Sequence, residues 1–338
     1  MGFEKGTASM TSVAGVHVIF GTGPVGCSAA KVLLEKGFRV RMVNRSGKRP
    51  DGLLLDLTQD QESRLEIRPA DALDRAQVLE VSQGATHIYH CANVSYELWY
   101  TVLPRLHSNL VDAAAAHGGV LAVAENLYVY ARGAEVINES TPELAPSRKG
   151  KLQHDLHGRL IDAGKRRGLK WVSVRASDFY GPGATLQSVF GTTRFLDPLF
   201  AGKRPGLLGD SDLPHTYTYV GDYGRALAQA ALTAEAHGRA WIVPNDRTMT
   251  SREVARIFFA AAERGKDVSR IPRFLVAALG LFSPMIRELG EMLYQKEEPY
   301  VVDGSLFGSK FGFTPTTLEE GIRNTLEWYR GRRQPVRA

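Results

Sequence analysis

The apolar pentapeptide Val16–Phe20 runs without a break into Gly21-Thr22-Gly23-Pro24-Val25-Gly26, and an alanine-rich stretch follows. Glycines at that spacing suit few local arrangements. The first allows a tight turn, the second lets another molecule approach the backbone, and the third lets helix and strand pack closely. A helix opening at Pro24 aims free N–H groups and the positive end of its dipole at the turn, which makes an anion site. Strand, glycine pattern and helix within about 30 residues predict the first βα unit of a parallel sheet that takes a dinucleotide by its pyrophosphate.

The pattern downstream agrees. Strand candidates are Val16–Phe20, Arg39–Val43, Leu65–Ile67, Thr86–Tyr89, Val120–Ala124 and Lys170–Arg175. Helical stretches fall near Pro24–Lys36, Asp74–Ser82, Glu97–His117 and Arg148–Arg167. This alternation predicts an α/β fold, a Rossmann-type doubly wound parallel sheet over residues 15–175. After residue 175 the rhythm breaks into glycine- and proline-rich segments. Helices are expected near Val220–Ala236, Ser251–Arg264 and Thr317–Tyr329, with isolated strands near His215–Tyr219 and Ala240–Val243. Residues 176–338 therefore read as a smaller C-terminal α/β portion that is mainly substrate-binding, and residues 1–14 as a flexible tail.

The end of the second strand bears on which dinucleotide is bound. Sites for NAD usually place an Asp or Glu there to accept hydrogen bonds from the ribose hydroxyls. This chain has Asn44-Arg45-Ser46, with Lys48 and Arg49 just beyond. No carboxylate stands to repel a 2′-phosphate, and Arg45 can pair with one. NADP(H) is the expected cofactor, with NAD(H) left open.

Cys27 and Cys91 have no metal-ligand or redox spacing, so no metal is expected and a reducing, cytoplasmic location fits. The most apolar stretch, Phe274–Met285, is short for a spanning helix and is interrupted by Gly280 and Pro284, so no membrane insertion is expected. A net charge of +6 comes with basic clusters at Arg148–Lys151, Lys165–Lys170 and Arg330–Arg337. They lack interleaved aromatics or a recognition motif and read as solvated surface, so the expected partner is a small molecule and no nucleic acid.

Further features carry a resemblance. Asp71 follows the third strand, His90-Cys91-Ala92-Asn93 closes the fourth, and Asn109 lies in the next long helix. Arg175-Ala176-Ser177-Asp178-Phe179-Tyr180-Gly181-Pro182-Gly183 follows the sixth, and Tyr219-Val220-Gly221-Asp222 comes later. In this order the chain resembles the extended short-chain dehydrogenase/reductase, or NAD-dependent epimerase/dehydratase, family. The resemblance implies that Gly21, Gly23, Pro24, Val25 and Gly26 hold the pyrophosphate. It places Asn44, Arg45 and Ser46 at the adenosine ribose, Asp71 beside adenine, and Ala92 and Asn93 under the cofactor. Members of the family also pair two long helices into dimers, here Glu97–His117 and Arg148–Arg167, so a homodimer is open.

Such enzymes use a Ser or Thr together with Tyr and Lys spaced Y-x-x-x-K on one helix. The Tyr moves a proton at the substrate oxygen, and the Lys binds the nicotinamide ribose and lowers the Tyr pKa. Here Lys151 is taken as the family lysine, with Asp155 one turn later, which puts Ser147 at the Tyr position and Asn126 at the Ser position. Asn126 can still donate an amide N–H. Tyr128, two residues on and facing the same side, and Asp178, if burial raises its pKa, are the candidates for the proton. His154 and His157 read as surface or packing residues, and Glu125 as a group that orients Lys151 or the substrate.

The leading expectation is an NADP(H)-dependent oxidoreductase acting on a small-molecule carbonyl, hydroxyl or activated double bond without the usual Tyr. The alternatives are an NAD-dependent sugar-nucleotide epimerase or dehydratase, and a non-catalytic NADP(H)-sensing protein.

Overall fold

The computed structural model describes residues 15–50, 52–54, 56–185 and 188–333. The expected tail, residues 1–14, and the end of the last basic cluster lie outside them. Seven parallel strands form the main sheet: β1 (Val16–Phe20), β2 (Arg39–Asn44), β3 (Leu65–Pro69), β4 (Ala85–His90), β5 (Val120–Asn126), β6 (Lys170–Ala176) and the later Ala240–Ile242. Their spatial order is Ala240–Ile242, β6, β5, β4, β1, β2, β3. The order reverses between β1 and β4, and in such sheets ligands bind beyond the carboxyl ends of the strands at that point.

β1 is buried along its whole length, as a central parallel strand must be. Its residues alternate between two cores. Ile19 joins one with α1 (Pro24–Glu35), and Val18 and Phe20 join the other. The second core is closed by α3 (Arg75–Val81), α4 (Trp99–His117) and α5 (Arg148–Arg167), α2 being the short turn Gln59–Ser63.

The sheet does not stop at residue 175. Ala240–Ile242 pairs with β6, adding a strand to the six expected. The helix before it, Val220–Leu232, packs along α1, with Ala226, Leu227, Ala230 and Ala231 buried against Ala29, Ala30, Leu33 and Leu34. Gly224 permits the approach, since a Cβ there would lie 2.5 Å from the Ala29 backbone nitrogen. The C-terminal portion thus shares the main core, and a third core of Phe190, Phe195, Tyr217 and Phe258 holds the rest together. The apolar C-terminal stretch forms two short helices, Arg273–Gly280 and Pro284–Gly290, and Tyr294–Glu297 is a separate turn beyond. No helix among the described residues is long and apolar enough to cross a membrane.

Histidines are buried in and beside the sheet. His17 Nδ1 lies 2.9 Å from the Tyr89 hydroxyl, and the His17 ring stacks on His87 at 4.4 Å. Burial lowers His17 to a pKa of about 3 and His87 to about 4. It likewise lowers His90 to about 3 and both His107 and His215 to about 4. All five are therefore neutral in the folded chain, whereas unfolded they take up protons below about pH 6.5. Their contribution is complete above that pH and is lost as pH falls from 6.5 through 4. Melting temperature is expected to hold level from pH 8 to 6.5 and to drop steeply by pH 5. A level profile down to pH 5 in a thermal-unfolding series would contradict this.

Candidate active site

A cleft of about 770 Å³ runs across the carboxyl ends of the strands, from Gly21–Val25 and Arg45 at one end to Asn126, Tyr128 and Asp178 at the other. The glycine loop is built as its spacing predicts. Gly21 has φ +103°, and a Cβ on it would lie 2.5 Å from the Cys91–Ala92 backbone. A Cβ on Gly26 would lie 2.0 Å from the Gly21 carbonyl oxygen, which is the strand–helix contact. Gly23 differs: a Cβ there meets nothing within 4 Å, so its bare face looks into open space. No side chain caps the N-terminus of α1.

At the end of β2, Asn44 organises its own loop. Its amide donates to Thr22 Oγ1 (3.2 Å) and the Lys48 carbonyl (2.8 Å), and its oxygen accepts from the Ser46 N–H and hydroxyl (3.1 Å each). Arg49 is tied to Glu62, whereas Arg45 is exposed on the cleft wall with no hydrogen bond or ion pair among the described residues. Asp71 accepts from the Leu73 N–H (3.0 Å), and Ala92 and Asn93 line the floor. Asn109 is buried and donates to the Ala72 carbonyl (2.9 Å), so it braces this wall.

The other end rests on a buried carboxylate. Glu125, near the end of β5, accepts from His157 Nδ1 (3.0 Å), Ser173 Oγ (2.9 Å) and Arg175 Nε (2.9 Å). Burial alone would raise its pKa, but the charges and hydrogen bonds of His157 and Arg175 outweigh that and hold it well below the usual range. Glu125 is a brace between β5, β6 and α5, and it contacts neither Lys151 nor open cleft through a free oxygen. Asn126 Oδ1 accepts from the Tyr128 N–H (3.0 Å), leaving its amide N–H groups for the cleft. The Tyr128 hydroxyl lies 2.6 Å from that of Tyr96. Burial raises Tyr96 to about 12 and Tyr128 well above the ordinary phenol value.

α5 spans the residues its sequence predicts, but the face it turns inward is not the one that carries Lys151. Ser147 is the N-cap, its Oγ accepting from the Gly150 N–H (3.0 Å), so it faces the helix end and not the cleft. Gly150 sits against β5's exit, where a Cβ would lie 2.2 Å from the Tyr128 carbonyl oxygen. The inward face then carries Lys149 and, four residues on, Gln153, which lines the cleft. Lys151 lies between them in sequence and hence on the opposite side of the helix. It is exposed and outside the cleft lining. Lys149 is fully buried and committed to Glu288 and, at 2.6 Å, to Glu291.

Asp178 lines the cleft, but the expected upward shift is corrected. Burial pushes its pKa up, yet the Lys296 ammonium and His215, whose Nε2 lies 3.0 Å away, bring it well below the usual carboxylate range. It is an ionised carboxylate at neutral pH and no proton donor. Tyr96, Gln153, His215 and Lys296 do not stand out in the sequence. Only Gln153 has a usable signal there, the Pro146-Ser147 cap that marks the start of α5. Among the described residues no group of His, Cys, Asp and Glu is placed to hold a metal ion.

The model of the NAD dependent epimerase/dehydratase family matches residues 16–243. The Arabidopsis thaliana 3beta-hydroxysteroid-dehydrogenase/decarboxylase isoform 2 is 23% identical over 308 residues, 79% of this chain and 52% of its own length. The chain thus spans about half the length of that curated relative. The UDP-glucose 4-epimerase from Thermus thermophilus, solved with NAD, superposes with a TM-score of 0.75 at 22% identity, covering 94% of this chain and 99% of that one. The Thermotoga maritima UDP-glucose 4-epimerase, solved with UDP-glucose, gives 0.73 at 16% identity with the same coverage. A dTDP-glucose 4,6-dehydratase from Bacillus anthracis, solved with NAD, gives 0.75 at 15% identity, covering 95% and 98%. At these identities the likeness is one of fold.

The loop geometry separates its glycines. Gly21→Ala and Gly26→Ala meet backbone and should each cost about 2–3 kcal/mol, a fall of several degrees in melting temperature. Gly23→Ala should cost at most about 1 kcal/mol, the effect of a poorer N-cap. Differential scanning fluorimetry on the three variants checks the order, and equal losses would contradict it.

Proposed function

This chain belongs to the NAD dependent epimerase/dehydratase family, whose members are oxidoreductase-type enzymes, and from that premise we propose that it is an NADP(H)-dependent oxidoreductase. It would act on a carbonyl, hydroxyl or activated double bond of a small molecule. The observation that carries the reading is the continuity of one cleft from the glycine loop and Arg45 to Asn126, Tyr128 and Asp178.

The residues present fit the cofactor. Gly23 presents bare backbone to open space, α1 has an uncapped N-terminus for a pyrophosphate, and Arg45 has no competing partner among the described residues for a 2′-phosphate. Ser46, Asp71, Ala92 and Asn93 complete that half. When bound, the nicotinamide supplies hydride exchange, and the protein supplies orientation and electrostatics. Asn126 donates to the substrate oxygen. Tyr128 holds the proton for it, with Tyr96 behind at 2.6 Å to replenish it. Gln153 stands on the α5 face where the family's lysine is expected, so a neutral amide meets the ribose in place of Lys151.

The likeness to the two UDP-glucose 4-epimerases favours a second reading, a sugar-nucleotide epimerase that holds NAD tightly and shows no net turnover. Purified protein separates the two. The first expects NADPH binding, NADPH oxidation with at least one of a panel of ketones, enones and imines, and no copurifying NAD. Arg45→Ala is expected to weaken NADPH about tenfold or more while leaving NADH nearly unchanged, since it removes a charge-assisted contact worth about 1.5–3 kcal/mol. Equal loss for both dinucleotides in a fluorescence titration would sink the NADP(H) assignment.

A further inference from the structure

The inner half of the cleft carries a broad apolar wall and is poor in cations, and, resting on the dinucleotide reading of the outer half, we infer that the substrate is an uncharged, largely apolar molecule carrying a hydroxyl or carbonyl oxygen, and not a nucleoside-diphosphate sugar. A buried diphosphate needs cations or a fan of N–H donors. Among the described residues lining the cleft, Arg45 is the one Lys or Arg, and it stands at the end of β2. Beyond Asn93 the lining combines Tyr96, Trp99, Leu103, Leu106, Leu127 and Leu156 with polar residues that carry no charge, among them Gln153, Thr185, Ser188 and Gln295.

The cations near that end are already committed or set back. Lys149 is held by Glu288 and Glu291, and Arg175 by Glu125, Tyr130 (3.0 Å) and Glu143 (2.6 Å). Lys296 is held by Asp178 and lies 3.1 Å from His215 Nε2. Arg194, half-buried and in electrostatic reach of Tyr96, is outside the lining. The two carboxylates of the inner lining, Glu125 and Asp178, are already ion-paired with Arg175 and Lys296, so neither cation is left free for a phosphate.

What the inner cleft offers instead is neutral hydrogen bonding. The Asn126 amide and the Tyr96–Tyr128 pair are one set. The other is His90 and His107, 7% and 2% exposed, which line the cleft with rings 5.5 Å apart. Burial keeps both rings neutral. An oxygen on an apolar body matches both the wall and these neutral groups.

The test uses the full chain with and without saturating NADP+, read by thermal shift and calorimetry. The probes are UDP-glucose and straight-chain secondary alcohols from 2-butanol to 2-decanol. UDP-glucose is expected to give no saturable binding in either state. The alcohols are expected to tighten about threefold to fourfold per methylene until the pocket fills, following about 0.8 kcal/mol per buried CH₂. Asp178→Asn, which frees Lys296, is expected to bring in UDP-glucose binding at least tenfold above wild type. Sub-millimolar binding of UDP-glucose to the wild type, or alcohol affinity flat with chain length, overturns the inference. Because UDP-glucose is also titrated without cofactor, a chain that fails to bind NADP+ refutes the dinucleotide reading separately while the UDP-glucose result still decides this one.

Discussion

The ion pair between Glu125 and Arg175 is what the remainder of the site is built on. Both side chains are almost wholly removed from water, and a lone carboxylate at that depth would be strongly destabilising. Each therefore requires the other. Because they project from adjacent strand ends, meeting at 2.9 Å fixes β5 against β6 where both strands give way to loops. Asn126 and Tyr128 leave from one end, and Ser177 and Asp178 from the other. Ser173 and His157 fill the remaining positions on the carboxylate, which brings α5 into the same arrangement. The Tyr223 hydroxyl donates to the Glu125 carbonyl (2.6 Å) and attaches the helix on the opposite face.

With β5 and β6 held, the register of α5 decides the chemistry. An ammonium beside a nicotinamide ribose would be a standing positive charge in the cleft, able to lower the pKa of a nearby phenol. Here the inward turn carries Lys149, neutralised by acids from the Pro284–Gly290 segment and its exit, and then Gln153. The phenols that remain, Tyr96 and Tyr128, are raised and not lowered. Such a site holds protons firmly, which suits donating one to an oxygen that is gaining charge better than removing one from an alcohol at rest.

How much of this could be read from the sequence follows the range of each interaction. β1, its glycine loop and α1 form a local unit of about 20 residues whose rules are steric, and it was legible in full. Strands β4 to β6 were legible because parallel strands buried on both faces read as short apolar runs, and β2 and the edge strand β3, more exposed, were legible from their alternation with helices. The strand Ala240–Ile242 was visible, but its place at the edge of the main sheet was not, since pairing with β6 joins residues far apart in the chain. Asp178 illustrates the limit best. Its position facing the cleft followed from the resemblance, whereas its charge state depends on Lys296, far along the chain on a separate turn. The outward placement of Lys151 has a different origin. Residue type favours Lys151, while the helix start set by Ser147 determines which side chains point inward.

The return of the chain to the main sheet after residue 220 has a mechanical consequence. The helix Val220–Leu232 and the strand Ala240–Ile242 knit the C-terminal portion into the core that α1 and β6 also use. Thr185, Ser188 and Gln295, at the inner end of the cleft, stand outside that core. A ligand that fills the cleft touches residues on both sides and should stabilise the two parts together.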